Sequence, residues 1–576
     1  MESSHPGRAR AVRHWAARNV GTICVALVLL YCVVGAFDPP RLNWGDPMSD
    51  YNVMTAGRNF ARYGFLKLKL TPYLLDPQYM HADDRMLIYT HYPQLPDLTN
   101  GVLRVTLGLS TLVQFRFVAL MLSFAALFFV YRLIERYWGR RTAQIGLALW
   151  VVNPLWVQHA DYLHHGPYGA FFGFACLYFV ARWLDEAPRP GQLAIAAVCA
   201  FLVILSSYDW WFFAPLLILL VGLASRRTVG NRRVIIAVSV LAASVIAAVL
   251  FKFATNAWAL GGMHGLMADV RFQVAERGTS VEHNFYRSGI WPTAFGRVER
   301  FFTILLLPVT AFWIVVPFVR GRFRGRLDEA ANGMRNPLWL MAAALPFFLA
   351  FASIWVGQYY PGLLVLPFYA VACASAIAIL VAIEGRARLV AGVFFVALIA
   401  NSVAEIATFK KAFLSPKTIA TLGPELDSVS ARGQVILVNH VFDAAYRYYF
   451  NRNTEPMIVY PAGVADIALS TFADPRQRPK SGTSNGAIFV QHKHLADELY
   501  DKGCFYLLAH YKLWPAWGNP PQYRPAIDTL IAERNATLVS KVSAMGTKLY
   551  ETDDYAIWRV HPQAAASAMT AALPSR

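Results

Sequence analysis

The sequence predicts a polytopic α-helical membrane protein of about 11 transmembrane helices that ends in a C-terminal extracytoplasmic α/β domain. Of its 576 residues, 56% are hydrophobic and only 15% are charged, whereas soluble proteins carry about 25% charged residues. The apolar residues form repeated blocks of roughly 15 to 22, a length that crosses a membrane as a helix. Arginines concentrate in every second loop between these blocks, and such positive charge holds loops in the cytoplasm.

The apolar blocks define the candidate membrane spans. The first block follows an arginine-rich N-terminus and lacks a small-residue cleavage site, so we expect an uncleaved anchor with a cytoplasmic N-terminus. Counted from that start, every inside loop is basic, and the net charge of +18 therefore needs no nucleic-acid partner. The predicted spans are 20–37, 112–134, 142–158, 167–184, 193–208, 210–225, 233–255, 301–319, 337–356, 359–383 and 388–408.

The composition changes after residue 408, which divides the chain into a transmembrane domain, 1–408, and an α/β domain, 409–576. Apolar runs shorten to strand length there, and amphipathic helical patterns separate the later runs. An odd number of spans places this domain outside the cytoplasm, and no glycine-rich phosphate-binding motif marks it as nucleotide-binding. The strand patterns are 434–440, 456–460, 487–492, 505–511 and a hairpin turning near Asp553 and Asp554; the helical patterns are 494–502 and 523–535.

The first extracytoplasmic loop, 38–111, begins with the stretch WGDPMSDYNVMTAGRNFARYG. Asp46 and Asp50 precede an amphipathic pattern that predicts an interfacial helix on the membrane, with Arg58 on its polar side. Asp50 has two interpretations. It caps the helix by accepting hydrogen bonds from the amides of the next turn, or it acts as a catalytic base beside the bilayer.

The second loop, QHADYLHHG at 158–166, places Asp161 close in sequence to His164 and His165. Ionisable residues near a bilayer core are costly and tend to face a cavity or a partner. One interpretation is an interfacial cluster that ends a helix, because His and Tyr side chains are well accommodated among lipid headgroups. The other is a divalent metal site, for which Asp50, Asp161 and His164 are the candidate ligands, although no metal-binding motif is present.

Three further groups are candidates for contact with an anionic substrate. His91 precedes an apolar helix, where it either helps to hold a phosphate or forms part of an interfacial turn. Tyr359 and Tyr360 form an aromatic-belt turn or a substrate contact. External arginines, among them Arg271 and Arg287, can clamp an anion bidentately, and their position outside the membrane runs against the usual charge bias.

Four of these segments, taken in order, resemble the motifs of bacterial GT-C glycosyltransferases, a family that includes the lipid A aminoarabinose transferase and protein O-mannosyltransferases. The resemblance covers 20–408 by order and spacing, and it implies a GT-C fold and a polyprenyl-phosphate sugar donor. The segments are SDYNVMTAGRNFARYGF at 49–65 (first-loop motif), THYPQLPDL at 90–98 (His-x-Pro segment), QHADYLHHGPYGAFF at 158–172 (second-loop acidic position) and VGQYYPGLLVLPFYAVA at 356–372 (aromatic-Pro segment).

The resemblance also implies roles for single residues. Asp50 matches the position that acts as general base on the acceptor, and Asp161 matches the acidic position that supports the acceptor or a metal ion. Many relatives have Asp-Glu in the first loop, whereas Tyr51 follows Asp50 here, so the base is either Asp50 or Asp46. The predicted substrate-binding residues are His91, Arg58, His164, His165, Arg271, Arg287, Tyr359 and Tyr360.

The predicted function is that of an inverting glycosyltransferase of the bacterial inner membrane, with the C-terminal domain in the periplasm. It moves a sugar from a polyprenyl-phosphate donor to a hydroxyl of an extracytoplasmic acceptor, which is a lipid, a cell-envelope glycan or a protein. Donor, acceptor and membrane lipid are the expected partners, with a divalent metal ion as an optional cofactor. The alternative is a transporter or flippase of a lipid-linked or anionic substrate, but the loop lengths show no inverted repeat. A non-catalytic assembly protein is a third interpretation.

Overall fold

The computed structural model shows a mostly helical chain that divides by contacts into two compact units. The apolar unit comprises Met1–Gly45, Thr90–Pro96 and Leu109–Lys411, and the α/β unit comprises Asp46–Tyr89, Asp97–Gly108 and Ala412–Arg576. Much of the first loop thus groups with the C-terminal region, and the functional domain boundary at 408 remains a prediction. The structure describes residues 19–37, 47–74, 76–79, 88–90, 92–185, 188–277, 298–319, 336–350, 360–383, 385–407, 416–430, 435–438, 443–450, 453–456, 505–510, 536, 546–553 and 555–560.

Helices occupy every predicted span, and the spans 112–134 and 142–158 share one long helix. In chain order the helices are α1 (Val20–Ala36), α2 (Pro47–Tyr63), α3 (Leu95–Leu107), α4 (Leu112–Val151), α5 (Pro154–His159), α6 (His165–Asp185), α7 (Pro190–Ile204), α8 (Asp209–Val229), α9 (Asn231–Ala259), α10 (Met263–Arg277), α11 (Leu306–Val319), α12 (Leu338–Ala350), α13 (Leu366–Ala382), α14 (Arg386–Ala407), α15 (Pro416–Val429) and α16 (Asp443–Phe450). Short 3₁₀ turns lie at Pro77–Tyr79 and Tyr360–Leu364.

Four stretches of the described chain are long and apolar enough to cross a membrane: Leu112–Val151, Asn231–Ala259, Gly362–Ala382 and Arg386–Ala407. Five further apolar helices have 10–17 residues, below the ~20 that a hydrocarbon core of about 30 Å requires. The chain is therefore a polytopic helical membrane protein, as predicted, and the number of eleven spans stays a prediction.

The long helix α4 is broken at Gly139, where φ is 84° and ψ is 163°. A residue with a side chain rarely adopts a positive φ, so glycine permits this break. It lies next to Arg140 and Arg141, in a loop predicted to be cytoplasmic. The boundary that the sequence predicts between the two spans therefore coincides with the break in the helix.

Two helix caps position the second loop within the apolar unit. At the start of α4, the Thr111 hydroxyl accepts from the Gln114 amide, and the Gln114 side chain accepts from the Thr111 amide at 3.0 Å. This capping box fixes the first turn of α4. Asn153 caps α5 by accepting from the Leu155 amide at 3.0 Å, and it also donates to the Phe301 carbonyl at 2.7 Å. The chain is thereby redirected from α4 into the loop that carries Asp161.

The α/β unit contains a five-stranded sheet of order β2-β1-β3-β5-β4, formed by β1 (Val435–Val438), β2 (Asn453–Pro456), β3 (Phe505–His510), β4 (Gly546–Glu551) and β5 (Tyr555–Val560). β1 pairs in parallel with β2 and β3, whereas β5 pairs antiparallel with β3 and β4. Ile436, Val438, Leu507 and Leu508 are fully buried, as expected for short apolar strands inside a sheet.

The sequence patterns at 434–440 and 505–511 correspond to β1 and β3, and the hairpin near Asp553 corresponds to β4 and β5. Of the strand pattern predicted at 456–460, Pro456 belongs to β2, and the other residues lie outside the described part of the structure. The patterns at 487–492, 494–502 and 523–535 lie outside the described residues.

Helices α2 and α3 of the α/β unit pack closely at Gly57. A Cβ added there would lie 1.9 Å from Asn100 Oδ1 and 2.8 Å from Asn100 Cβ. We expect Gly57→Ala to destabilise this packing by about 1–3 kcal/mol, the usual cost of overpacking, measured by thermal melting in detergent. Gly392→Ala in α14 is the control, since its Cβ would meet nothing within 4 Å. Equal melting temperatures for the two variants would contradict the close packing.

Candidate functional site

Asp50 lies inside the first turn of α2, which begins at Pro47. The interpretation of Asp50 as the residue that precedes and caps this helix is therefore wrong. A carboxylate in the first turn is instead stabilised by the partial positive charge of the helix N-terminus. Asp50 is 1% exposed, so its environment is shaped by protein groups rather than by bulk water.

Helix α16 of the C-terminal region packs against α2 at Tyr51, the residue after Asp50. The Tyr51 ring lies 5.8 Å from the Tyr448 ring and 5.4 Å from the Tyr449 ring, between centroids. The Tyr51 and Tyr449 hydroxyl oxygens are 3.4 Å apart. Tyr448 and Tyr449 are half-buried, whereas Tyr51 is buried. The residue that follows Asp50 thus belongs to an aromatic cluster shared by the two helices.

Two arginines converge on the same part of α16. Arg58 Nη1 donates to the Tyr448 carbonyl at 3.2 Å, and the Arg104 guanidinium lies near the Tyr448 side chain. Arg104 also donates from Nε to Asn100 Oδ1 at 2.7 Å and from Nη2 to the Met54 carbonyl at 3.4 Å. Burial lowers the pKa of both arginines, and the charge of Arg104 lowers the pKa of Arg58 further.

In the apolar unit, Asp161 is paired with Arg116 of α4 rather than exposed to solvent. An Nη2 of Arg116 donates to the Asp161 carboxylate, and Nη1 donates to the Ala36 carbonyl at 2.9 Å. The side chains are 4% and 13% exposed, respectively. The ion pair therefore ties the second loop to α1 and α4.

His164 and His165 contact one another, and Tyr92 packs on both. The Tyr92 and His165 rings are stacked with centroids 5.5 Å apart, and the His164 ring meets Tyr92 edge-on at 4.8 Å. The Nδ1 atoms of the two histidines are in hydrogen-bond contact. All three residues are buried, so this group is a packed core of the second loop.

The segment Thr90–Pro96, which we call the strap, carries Tyr92 and is held by bonds from three directions. Lys252 Nζ, fully buried on α9, donates to the Tyr92 carbonyl at 2.8 Å. The Leu95 amide donates to the Leu205 carbonyl at 3.0 Å. Gln94 Nε2 donates to Thr255 Oγ1 at 3.1 Å, and the Thr90 hydroxyl donates to Asp269 Oδ1 at 2.9 Å. The strap is thus fixed in place by side chains from α9 and α10.

We expect Lys252→Met to loosen the strap, because the Tyr92 carbonyl would lose a buried charged donor. An unsatisfied buried acceptor costs about 1–3 kcal/mol. Hydrogen exchange of peptides covering 90–96 should increase at least several-fold, while Arg233→Met, at an exposed position of the same helix, should leave it unchanged. Equal exchange in the two variants would show that Lys252 does not hold the strap.

Asp209 is a buried acid that the sequence analysis did not select. It is 3% exposed at the start of α8, and the Ser207 hydroxyl donates to its carboxylate. It lines a small cavity together with His159, Trp150 and Trp156. The signal that could have found it was its position in the short external turn SSYD between two spans.

The other predicted residues are distributed as follows. Arg271 is exposed on α10. Tyr360 begins a 3₁₀ turn, and its side chain is outside the described part of the structure. Asp46, His91, Arg287 and Tyr359 lie outside the described residues. Of the two candidate bases, Asp50 and Asp46, the structure therefore describes only Asp50.

Within the part of the chain that the structure describes, no group of three or more His, Cys, Asp and Glu side chains could hold a metal ion. Asp161 is engaged by Arg116, and His164 contacts His165. The proposed metal site of Asp50, Asp161 and His164 therefore has no support from the described geometry.

The most informative residues that the sequence analysis missed are charged residues inside apolar runs. Arg116 and Lys252 both fall within predicted spans, and buried charges in such segments are costly and usually paired. A charged residue inside a predicted span therefore indicates a buried pair, but the sequence does not identify the partner. Arg104 and Tyr448 carried no comparable signal, because both lie in ordinary amphipathic patterns.

Comparisons with known proteins show a shared fold at low sequence identity. ArnT from Cupriavidus metallidurans, bound to undecaprenyl phosphate, matches 93% of this chain and 97% of its own with 13% identity and a TM-score of 0.50. AglB from Archaeoglobus fulgidus, in complex with an inhibitory peptide and a dolichol-phosphate, matches 93% of this chain and 74% of its own with 13% identity and a TM-score of 0.51. The Archaeoglobus fulgidus oligosaccharyltransferase tethered to an acceptor peptide matches 95% of this chain and 74% of its own with 14% identity and a TM-score of 0.50.

No protein-family profile matches the chain, and no curated protein matches it by sequence. The likeness to the solved structures extends over nearly the whole chain, including the C-terminal region. At these identities it establishes the fold, and function has to be argued from the residues of this chain.

Proposed function

We propose, from the GT-C fold that this chain shares with those structures, that it is an integral membrane glycosyltransferase. The predicted fold is confirmed by the comparisons. Two of the similar structures are complexes with a polyprenyl-type phosphate, undecaprenyl phosphate and dolichol-phosphate. A polyprenyl-phosphate sugar is accordingly the donor that we propose for this chain, with a hydroxyl of an extracytoplasmic lipid, glycan or protein as acceptor.

The observation that carries the proposal is the buried carboxylate of Asp50 in the first turn of α2. Asp50 removes the proton from the acceptor hydroxyl, whose oxygen attacks the anomeric carbon of the donor sugar. The bond between that carbon and the phosphate oxygen breaks, and polyprenyl phosphate leaves with the bonding electron pair. Attack opposite the leaving group inverts the anomeric configuration.

Negative charge develops on the phosphate as it leaves, and positive groups lower the free energy of that transition state. We propose that external arginines, Arg271 and Arg287 among them, bind this phosphate, together with His91. Asp161 has a positioning role in this proposal, because Arg116 occupies its carboxylate. The packed histidines of the second loop support the strap rather than contact the phosphate directly.

The cellular location follows from the same proposal. The enzyme would lie in the bacterial inner membrane, with residues 409–576 as a periplasmic domain. Helix α16 of that domain packs against α2 at Tyr51, which follows Asp50 in sequence, and at Arg58. We therefore assign acceptor recognition, rather than the chemical step, to the C-terminal domain.

A deletion strain tests the proposed activity in the cell. Lipid and cell-envelope glycan profiles of this strain should lack one glycosylated product, and the wild-type gene should restore it. A gene with Asp50→Asn should not restore the product, whereas Ser49→Ala, the adjacent substitution, should. Unchanged profiles in the deletion strain would refute the proposal. Accumulation of an intact lipid-linked sugar on the cytoplasmic face would favour the flippase alternative.

A further inference from the structure

A small cavity lies inside the apolar unit, where α4, α5, α6 and α8 come together beside the second loop. Trp150 is on α4, Trp156 and His159 are on α5, and Asp209 begins α8; all four residues line the cavity. It offers about 20 Å³ to the centre of a water molecule. By the same measure, about 10–15 Å³ is enough for one water. The cavity is therefore large enough for a single water molecule and too small for a sugar or a lipid chain.

Two indole N–H groups at this cavity have no hydrogen-bond acceptor within the described part of the chain. They are the buried Nε1 atoms of Trp150 and Trp156. The two rings contact each other edge to face, with centroids 6.1 Å apart. An indole nitrogen only donates, and a buried donor without an acceptor is both costly and rare in folded proteins. Both tryptophans therefore require an acceptor atom that the protein itself does not supply here.

His159 presents an acceptor atom rather than a second donor. Its Nδ1 lies 2.8 Å from the Leu155 carbonyl oxygen. Because a carbonyl oxygen can only accept, Nδ1 carries the ring proton in this contact. Burial lowers the pKa of His159 to about 4, so the ring is neutral at pH 7. In a neutral imidazole with a protonated Nδ1, the acceptor is Nε2.

Asp209 supplies a second acceptor. It is 3% exposed, and it forms no ion pair with any residue that the structure describes. The Ser207 hydroxyl donates to one of its oxygens, and a carboxyl group has the capacity to accept further hydrogen bonds. Ser123, which also lines the cavity, already donates to the Ala160 carbonyl at 2.7 Å. Two donors and two acceptors thus border the cavity, and they match the two lone pairs and two hydrogens of water.

We propose that this cavity binds one water molecule, which accepts from the indoles of Trp150 and Trp156 and donates to Asp209 and to Nε2 of His159. A purely apolar cavity stays dry, whereas buried water is held by two to four polar partners. A metal cation is a poor occupant, because both indole N–H groups would point their positive ends at it. The water joins α4, α5 and α8 around the second loop. The inference is independent of the proposed function, since its test measures no sugar transfer.

X-ray radiolytic labelling of the full-length protein in detergent tests the inference. X-rays generate hydroxyl radicals from water, including bound water, so a buried side chain is oxidised where such a water lies against it. Trp313 is the internal reference, because it is fully buried and its N–H donates to the Ala372 carbonyl at 3.1 Å. Trp150, Trp156 or both should be oxidised at least several-fold faster than Trp313, as read by mass spectrometry. If neither is oxidised faster than Trp313, the cavity is dry and the inference is overturned.

A cavity-filling variant locates the water. Gly166 lines the cavity, and a Cβ there would lie 3.7 Å from Leu363 Cδ1 and 3.9 Å from His159 Cβ, which are ordinary contact distances. Gly166→Ala should displace the water, so that the oxidation of Trp150 and Trp156 falls to the rate of Trp313. Gly392→Ala, whose Cβ would meet nothing within 4 Å, should leave all three rates unchanged.

The melting temperature distinguishes a filled cavity from a dry one. Displacing the water leaves both indole donors without an acceptor, so Gly166→Ala should melt at a lower temperature than Gly392→Ala. In a dry cavity the added methyl group would gain contacts, and the melting temperature would rise with no change in oxidation. That result would contradict the proposed water. If Gly166→Ala does not fold, the comparison of Trp150 and Trp156 with Trp313 in the wild-type protein still decides.

Discussion

Asp50→Asn is expected to lower the rate of sugar transfer by about 10²–10⁴-fold, the usual contribution of a general base. The amide has nearly the same size and still accepts hydrogen bonds, but it cannot take the proton of the acceptor hydroxyl. The measurement is kcat of the purified variant in detergent, with donor and acceptor both saturating. Because the substitution removes the group that activates the nucleophile, KM for either substrate should change much less than kcat.

The control for Asp50→Asn is its neighbour Ser49, which is also buried in the first turn of α2. Ser49→Ala should retain the wild-type rate. Loss of the Asp50 charge removes a favourable interaction with the helix N-terminus, which is worth about 0.3–1 kcal/mol. Both variants should therefore remain folded, with only a small decrease in melting temperature for Asp50→Asn. A folded Asp50→Asn variant with full activity would show that Asp50 serves the helix and not the reaction.

Arg116→Met is expected to destabilise the protein by about 3–5 kcal/mol, since it leaves the Asp161 carboxylate in an apolar surrounding without its cation. It also removes the donor to the Ala36 carbonyl, which links α4 to α1. The free energy of unfolding is measured by denaturant titration in detergent, and the decrease should exceed that of any other single substitution discussed for the apolar unit.

Two further variants separate the ion pair from general effects of the substitution. Arg132→Met removes a partner of the exposed pair Arg132–Glu135 on the same helix, where the side chains are 48% and 26% exposed. Exposed ion pairs contribute about 0–1 kcal/mol, so this control should change the free energy of unfolding very little. The double variant Arg116→Met with Asp161→Asn should recover part of the lost stability, because no uncompensated charge remains. A double variant less stable than Arg116→Met would contradict the pairing.

The sequence predicted the helices of the apolar unit well, because a membrane requires long apolar runs and satisfied backbone groups. The loop predicted between the spans 112–134 and 142–158 coincides with the break within α4. Side-chain pairing was less predictable. Asp161 and Arg116 are separated by 45 residues, and their contact depends on how α4 rotates against the second loop. Periodicity alone does not determine that rotation.

The roles of the candidate site residues stay predictions, and one neighbouring helix was not predicted for a physical reason. Asp50 was selected because it lies at the start of the amphipathic pattern of α2, and Arg58 because it lies on the polar side of that pattern. The contribution of α16 was not found, because YRYYF is a short segment whose aromatic residues fit a strand or a helix equally well. In the structure this segment is helical, and its aromatic side chains pack against Tyr51 of α2.

The central claim is that this chain cleaves a polyprenyl-phosphate sugar and transfers the sugar with Asp50 as base. The most direct measurement uses the purified protein, a polyprenyl-phosphate donor with a radiolabelled sugar, and a crude envelope extract as acceptor. The account predicts time-dependent release of free polyprenyl phosphate and incorporation of label into an extracted product, both lost in Asp50→Asn and retained in Ser49→Ala. Movement of the intact donor across proteoliposome membranes, with no release of polyprenyl phosphate, would contradict it.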